Sequence, residues 1–221
     1  MNNLAFETLR KAMVDSQIRP NKVFDLNVIN AFSAVPKELF VPKHLQDIAY
    51  IDEDINLSGG RCIMEAMIMG RFFQTLDLKP TDSVMTIASS TGYAAAILSH
   101  LVASVIGIES RAPMVEKAQN NVSTLGITNV AFVKSRLQDG LASEAPYDAI
   151  FIEGGIEYVP ETLFDQLAEG GRLAAVLRPN DQQVGQASIW TKSNNSISVS
   201  ALFNAQIPTL DEFKAKPKFS F

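Results

Sequence analysis

The chain has 221 residues, 47% of them hydrophobic and 19% charged, and 19 basic against 24 acidic side chains leave a formal net charge of −5. One cysteine and two histidines exclude a disulfide framework and any metal site built from several Cys and His ligands, and a sequence pI near 5.1 argues against a nonspecific hold on nucleic acid or anionic lipid. No apolar run approaches the roughly 18 residues of a membrane span, and the N-terminal stretch, with Glu7, Arg10 and Lys11 among its apolar residues, lacks a signal peptide's core, so a single cytoplasmic domain is expected.

Residues 1–78 read as a helical cap. Phe6, Leu9 and Met13 share one helical face, Pro20, Pro36 and Pro42 punctuate the segment after it, and Ile63–Leu76 has helical spacing up to Lys79-Pro80. No sheet is expected there. Over 79–203 the rhythm changes: apolar runs at Ser83–Ala88, Ser104–Glu109, Val130–Val133 and Ala149–Ile152 alternate with helical segments at Tyr93–Leu101, Pro113–Leu125 and Glu161–Leu167. This predicts an α/β fold, a mostly parallel sheet with helices on both faces. Gly170-Gly171 should turn into a strand over Arg172–Leu177, and Ala187–Thr191 and Ile197–Leu202 form an antiparallel hairpin with Asn194-Asn195 at its tip. The tail, 204–221, has no periodicity; its Lys214, Lys216 and Lys218 suit a solvated terminus, or an acidic partner.

In such a sheet ligands bind beyond the carboxyl ends of the strands, where strand order reverses. Thr86-Ile87-Ala88-Ser89-Ser90-Thr91-Gly92 is a run of small residues entering a helix, fit for close backbone approach or simply for a tight turn. Glu109, about twenty residues on, is placed to accept from a ribose diol, or to favour the next helix as a solvated acid. At the third strand end, Gln138 or Asp139 would reach an adenine only if the loop bends back. Glu153-Gly154-Gly155 offers a carboxylate for an amine or amide, or one capping a glycine turn. Cys62 reads as an inert small hydrophobe, and His44 and His100 as surface or satisfied histidines.

The ordered motifs Ala31-Phe32, Val35-Pro36-Lys37-Glu38, Phe40-Val41-Pro42, Ala49-Tyr50, Asp52 and Gly60 resemble the N-terminal half of the protein-L-isoaspartate O-methyltransferases. Gly92-Tyr93-Ala94-Ala95-Ala96, Glu109, Leu125-Gly126-Ile127-Thr128-Asn129-Val130, Ala145-Pro146-Tyr147-Asp148-Ala149-Ile150, Val159-Pro160 and Gly170-Gly171-Arg172-Leu173 extend it, over about residues 30 to 178. The resemblance implies a Rossmann-like class I methyltransferase that uses S-adenosylmethionine to methylate an isoaspartyl or other protein carboxylate, as in protein repair. The cofactor residues it implies are Thr86, Ala88, Ser89, Ser90, Gly92, Glu109, Ser110, Arg136, Leu137 and Glu153. The acceptor is expected near Cys62, Met64 and Glu65, Met64 standing where the family has a hydroxyl.

This chain departs from the pattern in places. The family's first loop has an acid and then Gly-x-Gly-x-Gly, against Thr86, Ala88, Ser90 and Gly92 here, and Ser135-Arg136-Leu137 replaces a Gly-Asp-Gly. Arg61 is a candidate to pair with a substrate carboxylate bidentately, although an exposed arginine is the commoner finding. Two rivals remain: a methyltransferase fold serving as an inactive binding or scaffold module, and a nicotinamide-dependent dehydrogenase, disfavoured by the absence of Gly-x-Gly-x-x-Gly.

Overall fold

The structure, a computed structural model, describes residues 3–179 and 184–215; Lys216 and Lys218 lie outside these. Helix α1 (Asn3–Met13) turns Phe6 and Met13 into the core and runs on through a wide turn, Val14–Ile18. Asp25 caps α2 (Leu26–Ala34), its Oδ1 accepting from the main-chain N–H groups of Asn27 at 2.7 Å and Val28 at 3.4 Å. The cap is not purely helical: β1 (Ile55–Asn56) and β2 (Cys62–Ile63) pair antiparallel, so Arg61 enters a ribbon and not a loop. Helix α3 (Ala66–Thr75) starts three residues later than Ile63, because β2 claims that residue. Its Phe72 and Phe73 rings lie 5.7 and 5.2 Å from Phe151 and lock the cap onto the sheet.

The main sheet comprises β3 (Ser83–Ile87), β4 (Ser104–Glu109), β5 (Val130–Lys134), β6 (Tyr147–Ile156), β7 (Leu167–Leu177), β8 (Gly185–Ser193) and β9 (Ser196–Ala205), in the order β5-β4-β3-β6-β7-β8-β9. The first five are parallel; β8 and β9 are antiparallel, and Asn194 and Asn195 close their turn at φ 50° and 60°. Alternation divides the side chains. Val84, Phe151 and Ala174 meet the cap and α4 (Tyr93–Leu98), while Met85, Ile150 and Leu173 build the core of the opposite face, under α6 (Glu161–Asp165). Helix α5 (Ala112–Thr124) packs against β4 and β5. This is the expected Rossmann-like arrangement.

Strands β5, β8 and β9 run one to three residues past their expected bounds, and β6 and β7 absorb the turns expected beside them. Strand β6 continues through Glu153-Gly154-Gly155, the residues read as a turn, and β7 starts at Leu167, so Gly170-Gly171 lies within it. A register shift between Phe151 and Gly155 lets β6 continue past the point where its pairing with β7 lapses. Gly155 then pairs with the C-terminal segment: its N–H donates to Pro208 O and its carbonyl accepts from Leu210 N, both at 2.9 Å. Leu210 sits on Gly154, where a Cβ would come within 2.6 Å of it. Ile207, Leu210 and Phe213 are buried, so residues 207–213 form a strap along the carboxyl end of β6. Among the described residues no helix is long and apolar enough to cross a membrane.

Candidate functional site

Strand order reverses between β3 and β6, which puts Thr86, Glu109 and Glu153 on one crevice. The loop after β3 keeps a left-handed path without the glycines that make such a path cheap: Ala88 has φ 62°, Ser90 φ 53° and Gly92 φ 90°. Only at Gly92 is glycine also sterically required, a Cβ there falling 2.7 Å from Phe132 Cζ. The loop hydroxyls turn inward. Thr86 Oγ1 and Ser89 Oγ bond each other at 2.7 Å, and both residues are fully buried.

Glu109 is fully buried, and both its oxygens are engaged. Oε2 accepts from Arg61 Nε at 3.0 Å and Ser90 N at 3.2 Å; Oε1 accepts from Arg61 Nη2 at 3.1 Å, Ser110 N at 2.7 Å and Arg111 N at 3.1 Å. Arg61 therefore corrects the expectation of an exposed side chain: it is 2% exposed. A second acid, Glu212 of the strap, meets it from the other side, with Oε1 2.7 Å from Nη2 and Oε2 3.3 Å from Nη1, while Ser110 Oγ lies 3.2 Å from Glu212 Oε1. Burial pulls the guanidinium pKa down, but the hydrogen bonds to Glu212 and Glu109 and their charges outweigh it and hold the pKa above its ordinary value. Gln138, read as a remote candidate, donates to the Glu212 carbonyl and ties the strap down.

Glu153 enters the crevice from β6 with Oε1 lacking a hydrogen-bond partner. Burial, with Glu109 nearby, pushes its carboxyl well above the ordinary range, a hydrogen bond from Thr86 and the charge of Arg61 opposing this. The expected acceptor residues behave differently from one another. Met64 is 1% exposed within the main core, and burial and the acids Asp54 and Glu153 drive the Cys62 thiol up. Glu65 is half-buried before α3, its N–H donating to Asp54 Oδ1 at 3.0 Å. Asp54, not singled out from sequence, borders a cavity of about 440 Å³ with Arg178, Gln206 and Thr209, and burial raises its carboxyl to about 6. Arg136 points to solvent, 3.8 Å from Asp139, and Leu137 is core; the structure does not bring Arg136 to the crevice. Nothing in their spacing signals that Arg61 and Glu212 meet.

Residues 8–209 match the family described as Protein-L-isoaspartate(D-aspartate) O-methyltransferase. A relative so named from Methanoculleus marisnigri is 34% identical over 174 residues, 79% of each chain, and one from Herpetosiphon aurantiacus is 35% identical over 192 residues, 85% of this chain and 86% of that one. A solved protein-L-isoaspartate O-methyltransferase superposes with a TM-score of 0.80 at 26% identity, covering 93% of this chain and 67% of its own. A candidate member from Plasmodium falciparum, solved with S-adenosyl-L-homocysteine, shares the fold at a TM-score of 0.74 and 22% identity, covering 96% of this chain and all of that one. The dehydrogenase alternative falls with these matches. By sequence and by fold, this chain belongs to the protein-L-isoaspartate O-methyltransferase family.

Proposed function

We propose that the chain transfers a methyl group from S-adenosylmethionine to a carboxylate of a protein or peptide, the isoaspartyl side chain being the acceptor class of its family. The observation that carries this reading is the switch-point crevice, where a left-handed loop over Ala88–Gly92 faces the strand-end acid Glu109 as a nucleoside site requires. Glu109 is the strand-end acid a ribose diol calls for, its oxygens now held by Arg61 and main-chain N–H groups, and the unpartnered Glu153 Oε1 suits the ammonium of the amino-acid part. Arg61 takes both oxygens of Glu109, and Glu212 covers the outer edge of Arg61.

When bound, the cofactor supplies an electrophilic methyl group on a sulfonium. The chain's part is to hold the acceptor in line and exclude water, since bringing a sulfonium and a carboxylate together disperses charge and a dry pocket favours this. No strong base is needed, because a carboxylate is ionised at neutral pH. Loss of the family hydroxyl to Met64 is therefore compatible with catalysis. On this reading the acceptor enters beside Glu65, where the cavity at Asp54 offers space.

The closed Arg61–Glu109–Glu212 cluster favours a second reading, a family member that binds without turnover. Calorimetric titration with S-adenosylmethionine, followed by transfer of a labelled methyl group to an isoaspartyl peptide, separates the two. Saturable binding with transfer supports the enzyme; binding without transfer to any carboxylate peptide supports the binding module; no binding by the folded protein sinks the cofactor assignment.

A further inference from the structure

We propose that Arg61 is a carboxylate receptor whose present occupant, Glu212, is an internal stand-in that a ligand carboxylate displaces. This rests on the methyltransferase reading, because it concerns the same crevice. A guanidinium presents N–H groups along more than one edge. Arg61 gives one edge, Nε and Nη2, to Glu109, and the other, Nη1 and Nη2, to Glu212 as a bidentate pair.

The two acids are not equivalent. Glu109 is 0% exposed and also takes main-chain N–H groups of Ser90, Ser110 and Arg111, so it is a fixed part of the wall. The Glu212 side chain is 26% exposed, stands on the short turn Asp211–Phe213, and has Arg61 and Ser110 as its side-chain partners. Glu109 already balances the charge of Arg61, so what the outer edge offers a second carboxylate is its Nη1 and Nη2 N–H donors. Exchange there costs one solvent-reachable pair and returns one of the same chemistry. The strap that delivers Glu212 is anchored at Gly155, so the stand-in is tethered and competes at high local concentration.

Two carboxylates occur in the proposed reaction: that of the cofactor's amino-acid part and that of the acceptor. The test compares the wild type with Glu212→Ala and the more conservative Glu212→Gln, each first shown to be folded by Trp190 fluorescence. The calorimetric probes are S-adenosylhomocysteine, an isoaspartyl peptide, and 5′-methylthioadenosine, which carries the nucleoside but no carboxylate. Loss of the tethered competitor should tighten a carboxylate probe by about tenfold or more, in line with a charge-assisted pair, and change 5′-methylthioadenosine less than about twofold. The probe that gains identifies the source of the carboxylate. Equal gains by 5′-methylthioadenosine, or bound carboxylate probes indifferent to residue 212, would overturn the proposal and leave the methyltransferase reading standing. Absence of binding by every probe to every protein overturns both.

Discussion

Arg61 Nη2 lies 2.7 Å from Glu212 Oε1, a contact between residues 151 positions apart that joins the cap ribbon to the C-terminal strap. The same guanidinium buttresses Glu109, so one side chain ties together the cap, the β4 strand end and the tail.

Removing that side chain should be costly. Arg61→Ala leaves Glu109 buried with main-chain donors and the Ser110 hydroxyl but no counter-charge, and breaking a buried pair by deleting one partner costs about 3–5 kcal/mol. Adding Glu109→Gln removes the stranded charge and should recover much of that loss. Urea denaturation of the two single variants and the double variant reads the coupling, expected to exceed about 2 kcal/mol. Additive effects would show that the pair contributes little beyond each residue alone.

The strap should loosen in acid. Burial pushes the Glu212 carboxyl up, but hydrogen bonds from Arg61, a main-chain bond, the Arg61 charge and Ser110 outweigh it and hold the group below its ordinary value. A depressed folded-state pKa gives stability that is complete above the unfolded value and lost as pH falls through the folded one. Pepsin cleavage around Leu210–Phe213 should therefore be slower in the wild type than in Glu212→Gln at pH about 5 and converge in stronger acid. A constant ratio across that range would show that ionisation of Glu212 does not hold the strap.

Ser90 carries two separable burdens: it sits at φ 53°, and its buried Oγ lacks a hydrogen-bond partner. Ser90→Gly removes both and keeps the main-chain N–H that donates to Glu109 at 3.2 Å. A left-handed L-residue costs about 1–2 kcal/mol, partly offset by glycine's greater freedom when unfolded, so stability should rise by about 1 kcal/mol. A lower melting temperature would mean that the serine makes contacts which compensate its backbone.

Lys37 is fully buried, and its Nζ lacks a hydrogen-bond partner and lies 5.9 Å from the Tyr93 ring centroid. Burial pushes its pKa from 10.5 down to about 8, with Asp54, Asp52 and Glu65 pulling the other way. Between these values the unfolded chain binds more protons, so stability rises with pH there, and below about 8 the full penalty applies. Lys37→Met should then stabilise the protein by roughly 2–3 kcal/mol at pH 7, with the advantage shrinking as pH approaches 10.5. Denaturation at both pH values checks this; an advantage independent of pH would point to packing instead of charge.

Much of the fold is legible in local pattern. Ser104–Glu109 keeps its expected bounds, because its interior Val105–Ile108 is a continuous apolar run bounded by the polar Ser104 and Glu109. The Asn194-Asn195 turn is equally local, since both residues tolerate positive φ. The extension of β6 through Gly154-Gly155 is not local: glycine pairs read as turns, and it takes Leu210 packed on Gly154 and the strap bonded to Gly155 to hold them extended. The β1–β2 ribbon also escapes notice, being too short to show alternation.

Sequence by itself determined the alternating strand-and-helix order, the strand ends that face the crevice, and the placement of Glu109 and Glu153 there, because side-chain period and loop composition act between near neighbours. Tertiary structure alone decided that Thr86 and Ser89 bond each other, that Met64 and Cys62 are core, and that Arg136 faces solvent. It also decided that Arg61 is shared between Glu109 and Glu212. Such pairings depend on which distant segments the fold brings within about 3 Å, a distance set by packing of the whole chain and unmarked in the local sequence.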